Sequence, residues 1–449
     1  MSQKIDWAKF ADEQEKVLRQ KISQINIQSN EANGKDFEDA PEQFSVAEAT
    51  LLRKVLRKGL MDSKNDIKVQ RENPNSPLYL VKTFEALNLN PNLLKGVYDM
   101  GFNAPSKIQE TALPALLANP PQNLIVQSQS GTGKTAAFIL AMLSRVDVSK
   151  KYPQVLCLSP TYEVAIETGE VAAHMAKFCP EIEMKYAVRG EEVSRGSRLT
   201  EHIIIGTPGK VLDWALKFQV FDLKKLTVFV LNEADVMIAT SGHQDQCIRI
   251  HKKLSPSCQV MSFSITYDLK CMEFAEVLVP DPIIISPKKG EESLDNIQRY
   301  YVKCAGPQEK YNAVTNIYGT LDGQAIIFCH TRHTTNWLAQ KMSKEGHTVA
   351  VLTGDLTVGQ RINVLDRFRS GQEKVLITTN ILSTAIDGEQ VKILINFDLP
   401  VDMEGKADCY TYLHRIDRTG RFSKRGIVKS NSRCLRNFKE ILIIYKLMD

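Results

Sequence analysis

The sequence predicts an α/β fold: two parallel-sheet domains in tandem, joined by a short linker and preceded by a polar extension. Three observations predict it. Short β-rich apolar runs alternate with helical patterns from about 78 to 285, and the alternation restarts beyond 295. Such unbroken apolar runs are what parallel strands look like when helices cover both faces of their sheet. The third observation is a glycine-rich loop, Ser128 to Thr135, set between a strand-like run and a helix-like one.

Length and composition bound the rest. A chain of 449 residues can hold two or three domains with full cores. Hydrophobic residues at 43% and charged residues at 24% are the proportions of a soluble globular protein. The net charge of +5 permits a polyanionic partner without demanding one. Nine scattered cysteines with no Cys-x-x-Cys pair read as reduced thiols of cytosol or nucleus, not as a disulfide or zinc framework. The polar start of the chain shows no secretory signal, and no apolar run approaches the ~20 residues of a membrane span.

Residues 1–74 read as an N-terminal extension. Its first 45 positions are dominated by Asn, Gln, Glu and Ser, with one short helical stretch near Trp7 to Ile22. Leu52, Val55, Leu56 and Leu60 then recur at helical spacing among Arg53, Lys54, Arg57 and Lys58. That is a basic amphipathic helix, which either docks on its own domain or regulates it. The run Asn73-Pro74-Asn75-Ser76-Pro77 ends it. The first domain spans 75–285, with buried strands at Asn123 to Val126, Val155 to Leu158, Ile203 to Ile205 and Val228 to Leu231. A linker follows at 286–294. The second domain spans 295–449, with strands at Ala325 to Phe328, Thr348 to Leu352, Val375 to Ile377 and Ile393 to Ile395.

The glycine-rich loop carries chemistry. Ser130, Gly131, Thr132 and Gly133 let backbone N–H groups curl around phosphates, and the helix that follows adds its dipole. Lys134 can reach the β- and γ-phosphates, and the Thr135 hydroxyl can ligate magnesium. The general pattern has Gly where Ser128 stands. The second element is Leu231-Asn232-Glu233-Ala234-Asp235 at the end of a buried strand. A carboxylate there normally holds magnesium through water, and a neighbouring acid orients or deprotonates the attacking water.

In this order and number, the motifs resemble those of the DEAD-box RNA helicases. The similarity covers roughly 75 to 428. Gly101-Phe102 with Pro105-Ser106-Lys107-Ile108-Gln109 is similar to that family's adenine-reading motif, so Gln109 would read the adenine edge and Phe84 would stack on the ring. The resemblance implies RNA contacts at Thr161, Arg189, Gly190, Thr207 and Gly209 in the first domain. In the second domain it implies them at Arg332, Gly354, Gln360, Arg361 and Thr379. Asp235, Ser264, Thr266, Asp387 and His414 would couple the nucleotide and RNA sites. Arg418 and Arg421 would act as arginine fingers. Within the family, Asn75-Ser76-Pro77-Leu78-Tyr79 and Gly242-His243-Gln244-Asp245-Gln246 resemble the messenger-RNA export helicases of the nuclear pore. In that subgroup an N-terminal helix can enter the cleft and inhibit, and the basic helix near 47–60 is at the matching place.

The resemblance implies two tandem RecA-like domains closing on ATP, Mg2+ and single-stranded RNA in a messenger ribonucleoprotein. Lys134, Asn232, Glu233, Arg418 and Arg421 would carry the chemistry, with Thr135 and Asn232 toward the metal, the latter through water. It further implies nucleoporins and a cleft-bridging activator as partners, a monomer, and a place in cytoplasm and nucleus at the pore's cytoplasmic face. Four positions depart from the family pattern. Asn232 replaces the magnesium-holding Asp, and Ile265 replaces Ala in the Ser-Ala-Thr motif. Thr384-Ala385 replaces Arg-Gly, and Asp417 replaces Gly beside a finger. Two readings follow: an RNA-stimulated ATPase with weakened hydrolysis, or a non-catalytic RNA-binding paralogue acting as adaptor or competitor at the pore. The tail after Gly426 also diverges, with Val428-Lys429-Ser430 interrupting an apolar strand.

Overall fold

In the computed structural model the apolar runs become the strands of two separate sheets. The structure describes residues 67–70, 80–129, 131–240, 242–287, 297–304, 306–318, 323–379, 391–401, 408, 411–412, 415, 425–431 and 441–448. The first sheet holds β1 (Ile67–Gln70), β2 (Leu124–Gln127), β3 (Val155–Leu158), β4 (Met184–Ala187), β5 (Ile203–Gly206), β6 (Val228–Asn232), β7 (Gln259–Ser264) and β8 (Ile283–Pro287). Their spatial order is β1-β8-β2-β7-β6-β3-β5-β4, and all are parallel except β1, which runs antiparallel to β8. β1 comes from within the stretch expected to be N-terminal extension.

The helices between these strands are α1 (Pro91–Asp99), α2 (Lys107–Leu117), α3 (Lys134–Ser144), α4 (Tyr162–Met175), α5 (Pro208–Leu212), α6 (Ala234–Ala239), α7 (His243–His251) and α8 (Leu269–Leu278). Each strand residue alternates faces, so one run feeds two cores. Val155 and Cys157 join the cluster under α1 to α4, while Leu156 and Leu158 join the cluster with Trp214, Phe229 and Phe274. Both clusters are almost fully buried, which explains why β3 shows no polar alternation in sequence.

The second sheet holds β9 (Ile297–Lys303), β10 (Gln324–Phe328), β11 (Val349–Leu352), β12 (Val375–Thr378), β13 (Val391–Asn396), β14 (Arg425–Asn431) and β15 (Ile441–Met448). Helices α9 (Pro307–Tyr318), α10 (Arg332–Lys344) and α11 (Val358–Arg369) accompany it. Its order is β11-β12-β10-β13-β15-β14-β9. The divergent tail thus supplies two strands, with β15 antiparallel to both β13 and β14. The chain is α/β in two tandem RecA-like domains. No helix among the described residues is long and apolar enough to cross a membrane.

Candidate nucleotide and RNA site

A parallel sheet collects its loops at the carboxyl ends of its strands, and ligands bind there. In the first sheet the loops after β2, β6 and β7 lie at the centre, and those after β3, β5 and β4 lie to one side. The first group holds the nucleotide motifs and the second holds Thr161, Thr207, Gly209, Arg189 and Gly190. The two functions are therefore neighbours by topology.

The phosphate loop is braced from three sides. Gly131 and Gly133 have φ of 72° and 95°, in the left-handed region that favours glycine. A Cβ on Gly133 would stand 2.5 Å from Gln109 Nε2 and 3.1 Å from Ser106 Oγ, so this position tolerates only glycine. Gln109 Nε2 donates to Gly133 O at 3.1 Å, and Ser106 Oγ donates to Thr132 O at 2.6 Å. Ser128 fills the place of the pattern's glycine, 2.5 Å from the Thr132 hydroxyl, and its N–H donates to Ser264 O at 3.2 Å. Lys134 Nζ donates to Ser128 O and, at 2.6 Å, to Gln129 O, so the ammonium spans the mouth of the loop. Ser130 lies outside the described residues.

At the end of β6 the backbone turns sharply: Glu233 adopts φ 57° and ψ 56°, a costly conformation for a side-chain-bearing residue and one that gathers at functional sites. Asp235 is 4% exposed, and its Oδ2 accepts from Thr266 N at 3.0 Å and from Thr266 Oγ1 at 2.9 Å. Its own N–H donates to Ser264 Oγ at 3.3 Å. The structure thus brings Asp235, Ser264 and Thr266 together, joining the end of β6 to that of β7. Ile265 between them is only partly buried, so it is not a fully packed core position.

Asn232 is 9% exposed, and its Nδ2 donates to Thr168 Oγ1 at 3.3 Å on α4. The oxygen donors offered by the phosphate loop's helix and by the end of β6 are hydroxyl, amide and carboxylate: Thr135, Asn232 and Glu233. Such an all-oxygen set suits magnesium, although the amide brings no charge. No cluster of three His, Cys, Asp or Glu side chains suited to a metal occurs among the described residues.

The second domain mirrors this edge. His330, Thr331 and Arg332 follow β10, Thr353 and Gly354 follow β11, and Thr379 follows β12. Arg332 and Gly354 are exposed, whereas Thr379 is 6% exposed. The Thr353 hydroxyl, and more weakly the nearby Arg332 charge, hold the Asp355 carboxyl below the usual carboxylate range. From this domain Arg361 Nη1 crosses to Glu163 Oε1 on α4 at 3.2 Å, with side chains 16% and 4% exposed. Val164, next along α4, is buried in the second domain's core cluster with Phe328 and Leu352.

Residues 106–274 match the DEAD/DEAH box helicase family and residues 309–423 match the helicase conserved C-terminal domain. The chain is 63% identical to the DEAD-box helicase Dbp80 of Drosophila melanogaster over 423 residues, which cover 94% of this chain and 91% of that protein. This chain belongs to the DEAD-box RNA helicases. The helicase also resembles the solved S. cerevisiae Dbp5 bound to RNA and ADP BeF3, at 43% identity and a TM-score of 0.73, over 77% of this chain and 88% of that one. A second Dbp5 structure, bound to Nup159, Gle1, IP6 and ADP, matches at 42% identity and a TM-score of 0.59, over 77% and 89%.

Several expected roles read differently in the helicase's geometry. Phe84 is 2% exposed and edge-on to Tyr98 at 6.3 Å, so its ring sits in the core and offers no open face for stacking. Gln109 is 1% exposed with both amide ends engaged, Oε1 accepting from Ser106 N at 3.0 Å. It caps α2 and braces the phosphate loop, because capping satisfies a helix donor that would otherwise be orphaned. Gln360 likewise accepts from Thr357 N at 2.8 Å in a capping box on α11, and Arg361 is turned onto Glu163 rather than outward toward RNA. Asp387, His414, Arg418 and Arg421 lie outside the described residues, as do Thr384, Ala385, Asp417 and the basic helix near 47–60.

Sequence reasoning missed the scaffold under the second edge. Lys310 is 5% exposed, and its Nζ donates to Phe397 O at 3.0 Å and Asp398 Oδ1 at 3.1 Å. Asp398 Oδ2 accepts from His330 N at 3.0 Å. Arg415, fully buried, donates to Asn396 Oδ1 at 2.7 Å and Asp398 O at 2.8 Å and stacks over Phe328 at 4.9 Å. The Asp398 carboxylate thus ties the loop after β10 to Lys310 on α9, and its main-chain carbonyl takes Arg415. No local pattern marks Lys310, whose partner lies 88 residues away.

Proposed function

We propose that this helicase is an RNA-stimulated ATPase of the messenger-RNA export type whose hydrolysis is weakened at magnesium. The observation that carries this reading is Asn232 at the end of β6, an uncharged amide already engaged with Thr168. Magnesium, when bound, neutralises charge between the β- and γ-phosphates. The chain's own residues do the rest. The phosphate loop and Lys134 hold the triphosphate, and Glu233 orients water toward it. Asp235, through Thr266 and Ser264, links that site to the loop after β7. Arg418 and Arg421 would add charge stabilisation on closure; such fingers are worth on the order of 10³–10⁵ in rate. An amide oxygen is a weaker partner than a carboxylate for a hard cation, so closure on RNA would outlast fast chemistry.

RNA would lie along the carboxyl edges of both sheets, held mainly through phosphates and ribose hydroxyls, with little sequence reading. By likeness to the Dbp5 complexes, we assign single-stranded RNA or messenger ribonucleoprotein, a nucleoporin and a cleft-bridging activator as partners. The place of action would be the cytoplasmic face of the nuclear pore, and the unit a monomer. Topology supports a regulatory role for the N-terminal extension. β1 is antiparallel to β8, with Ile67 opposite Pro287. The amino end of β1 therefore lies at the carboxyl edge of the first sheet.

The second reading, a non-catalytic RNA-binding paralogue, rests on the same Asn232. Steady-state ATPase with and without RNA separates the two. RNA-stimulated phosphate release above a Lys134→Ala control supports the enzyme, and release no faster than that control supports the adaptor.

A further inference from the structure

Thr168 has no assigned role, yet its hydrogen bonds decide what Asn232 can offer. Its hydroxyl donates to Val164 O at 2.7 Å, one helical turn earlier, inside α4. A hydroxyl has one proton, so the same oxygen can only accept from a second partner. Asn232 Nδ2 is that partner, at 3.3 Å in a buried position. An amide has a donor end and an acceptor end, and which end faces which neighbour follows from the hydrogen-bond network. Here the network fixes it: an oxygen that cannot donate draws the NH2 group, and the carbonyl Oδ1 is turned away from α4. Among the described residues Oδ1 forms no hydrogen bond.

We propose that Thr168 is a positioning residue that locks the Asn232 amide so that its carbonyl oxygen, and not its NH2, faces the metal–phosphate site. The inference rests on the reading of Asn232 given above and names the device that keeps an amide serviceable there. Two N–H groups aimed at a cation would repel it, so an unlocked amide is worse than a merely neutral one. The lock belongs to this chain's Asn. A carboxylate at 232 has two equivalent acceptor oxygens and no wrong end, and it would meet the lone pairs of Thr168 unless that hydroxyl released Val164 O. Val164 itself packs into the second domain's core, so the helix that holds the lock is anchored where the two domains meet.

The test is the magnesium midpoint for tightening of a fluorescent ADP derivative on the full chain, a binding readout independent of turnover. Thr168→Val removes the acceptor at nearly constant volume. It should raise the midpoint roughly fivefold, the equivalent of about one neutral hydrogen bond, with affinity in the absence of magnesium unchanged. Thr168→Ser keeps the hydroxyl and should restore the midpoint. In an Asn232→Asp background the same Thr168→Val change should move the midpoint by less than about twofold. Equal shifts in both backgrounds, or none with Asn232 present, overturn the positioning role. Failure of Asn232→Asp alone to lower the midpoint would instead overturn the reading of weakened magnesium binding. These outcomes separate the two claims.

Discussion

The carboxyl edges of the two sheets are built around one carboxylate each, and they hold it differently. Asp235 in the first domain accepts from the amide and hydroxyl of Thr266. Asp398 in the second accepts from a buried ammonium, Lys310, and its carbonyl takes the buried guanidinium of Arg415. The first edge is organised by neutral donors on adjacent strand ends. The second is organised by desolvated cations recruited from distant elements. Neutral hydrogen bonds are cheap to rearrange, whereas a buried cation stripped of its partner is not. The difference suits the proposed function: the first edge would respond to a nucleotide, and the second would stay firm as the domains close.

The comparison can be broken at its strongest point first. Asp398→Ala should cost about 3–5 kcal/mol in chemical denaturation of the full chain, because it removes the counter-charge of the buried Lys310 ammonium. A loss under about 1 kcal/mol would mean that the second edge is no firmer than the first. Thr266→Val removes one hydrogen bond to a charged acceptor and should cost about 1.5–3 kcal/mol in the coupling of RNA to nucleotide binding. Here global stability should change less than coupling, and the reverse result would make Asp235 a stability element. Arg361→Ala should lower RNA-stimulated turnover about tenfold by weakening domain closure, while Glu163→Gln should lower it less. The asymmetry arises because removing the arginine leaves a 4% exposed carboxylate unpaired, a penalty a neutral amide escapes. Ile265→Ala should sit within about 0.5 kcal/mol of the parent, since that side chain is only partly buried.

Much of the architecture was legible in the chain. Val155 to Leu158 and Ile203 to Ile205 read as buried strands because both faces of their sheet are covered, which leaves an unbroken apolar run. The phosphate loop was legible because its conformation demands particular residues: only glycine tolerates the approach of Gln109 at Gly133. The side-chain roles of Gln109, Gln360 and Arg361 were less legible. A glutamine three residues after Ser or Thr caps a helix or reaches a ligand with the same atoms, and sequence does not say which. The Arg361 ion pair crosses between domains, and no spacing rule pairs positions 163 and 361.

The sequence by itself determined the fold class, the order of the motifs and the identity of the residue at 232. Those follow from local physics: apolar periodicity, backbone freedom at glycine, and the chemistry of single side chains. Only the tertiary structure decided that Phe84 lies in the core, that Lys310 and Arg415 converge on Asp398, one on its carboxylate and the other on its main-chain carbonyl, and that Thr168 sets which end of Asn232 faces the cleft. Each of these is a contact between elements distant in the chain. Its energy depends on burial and on which partner already holds the proton, and neither is written in the order of residues.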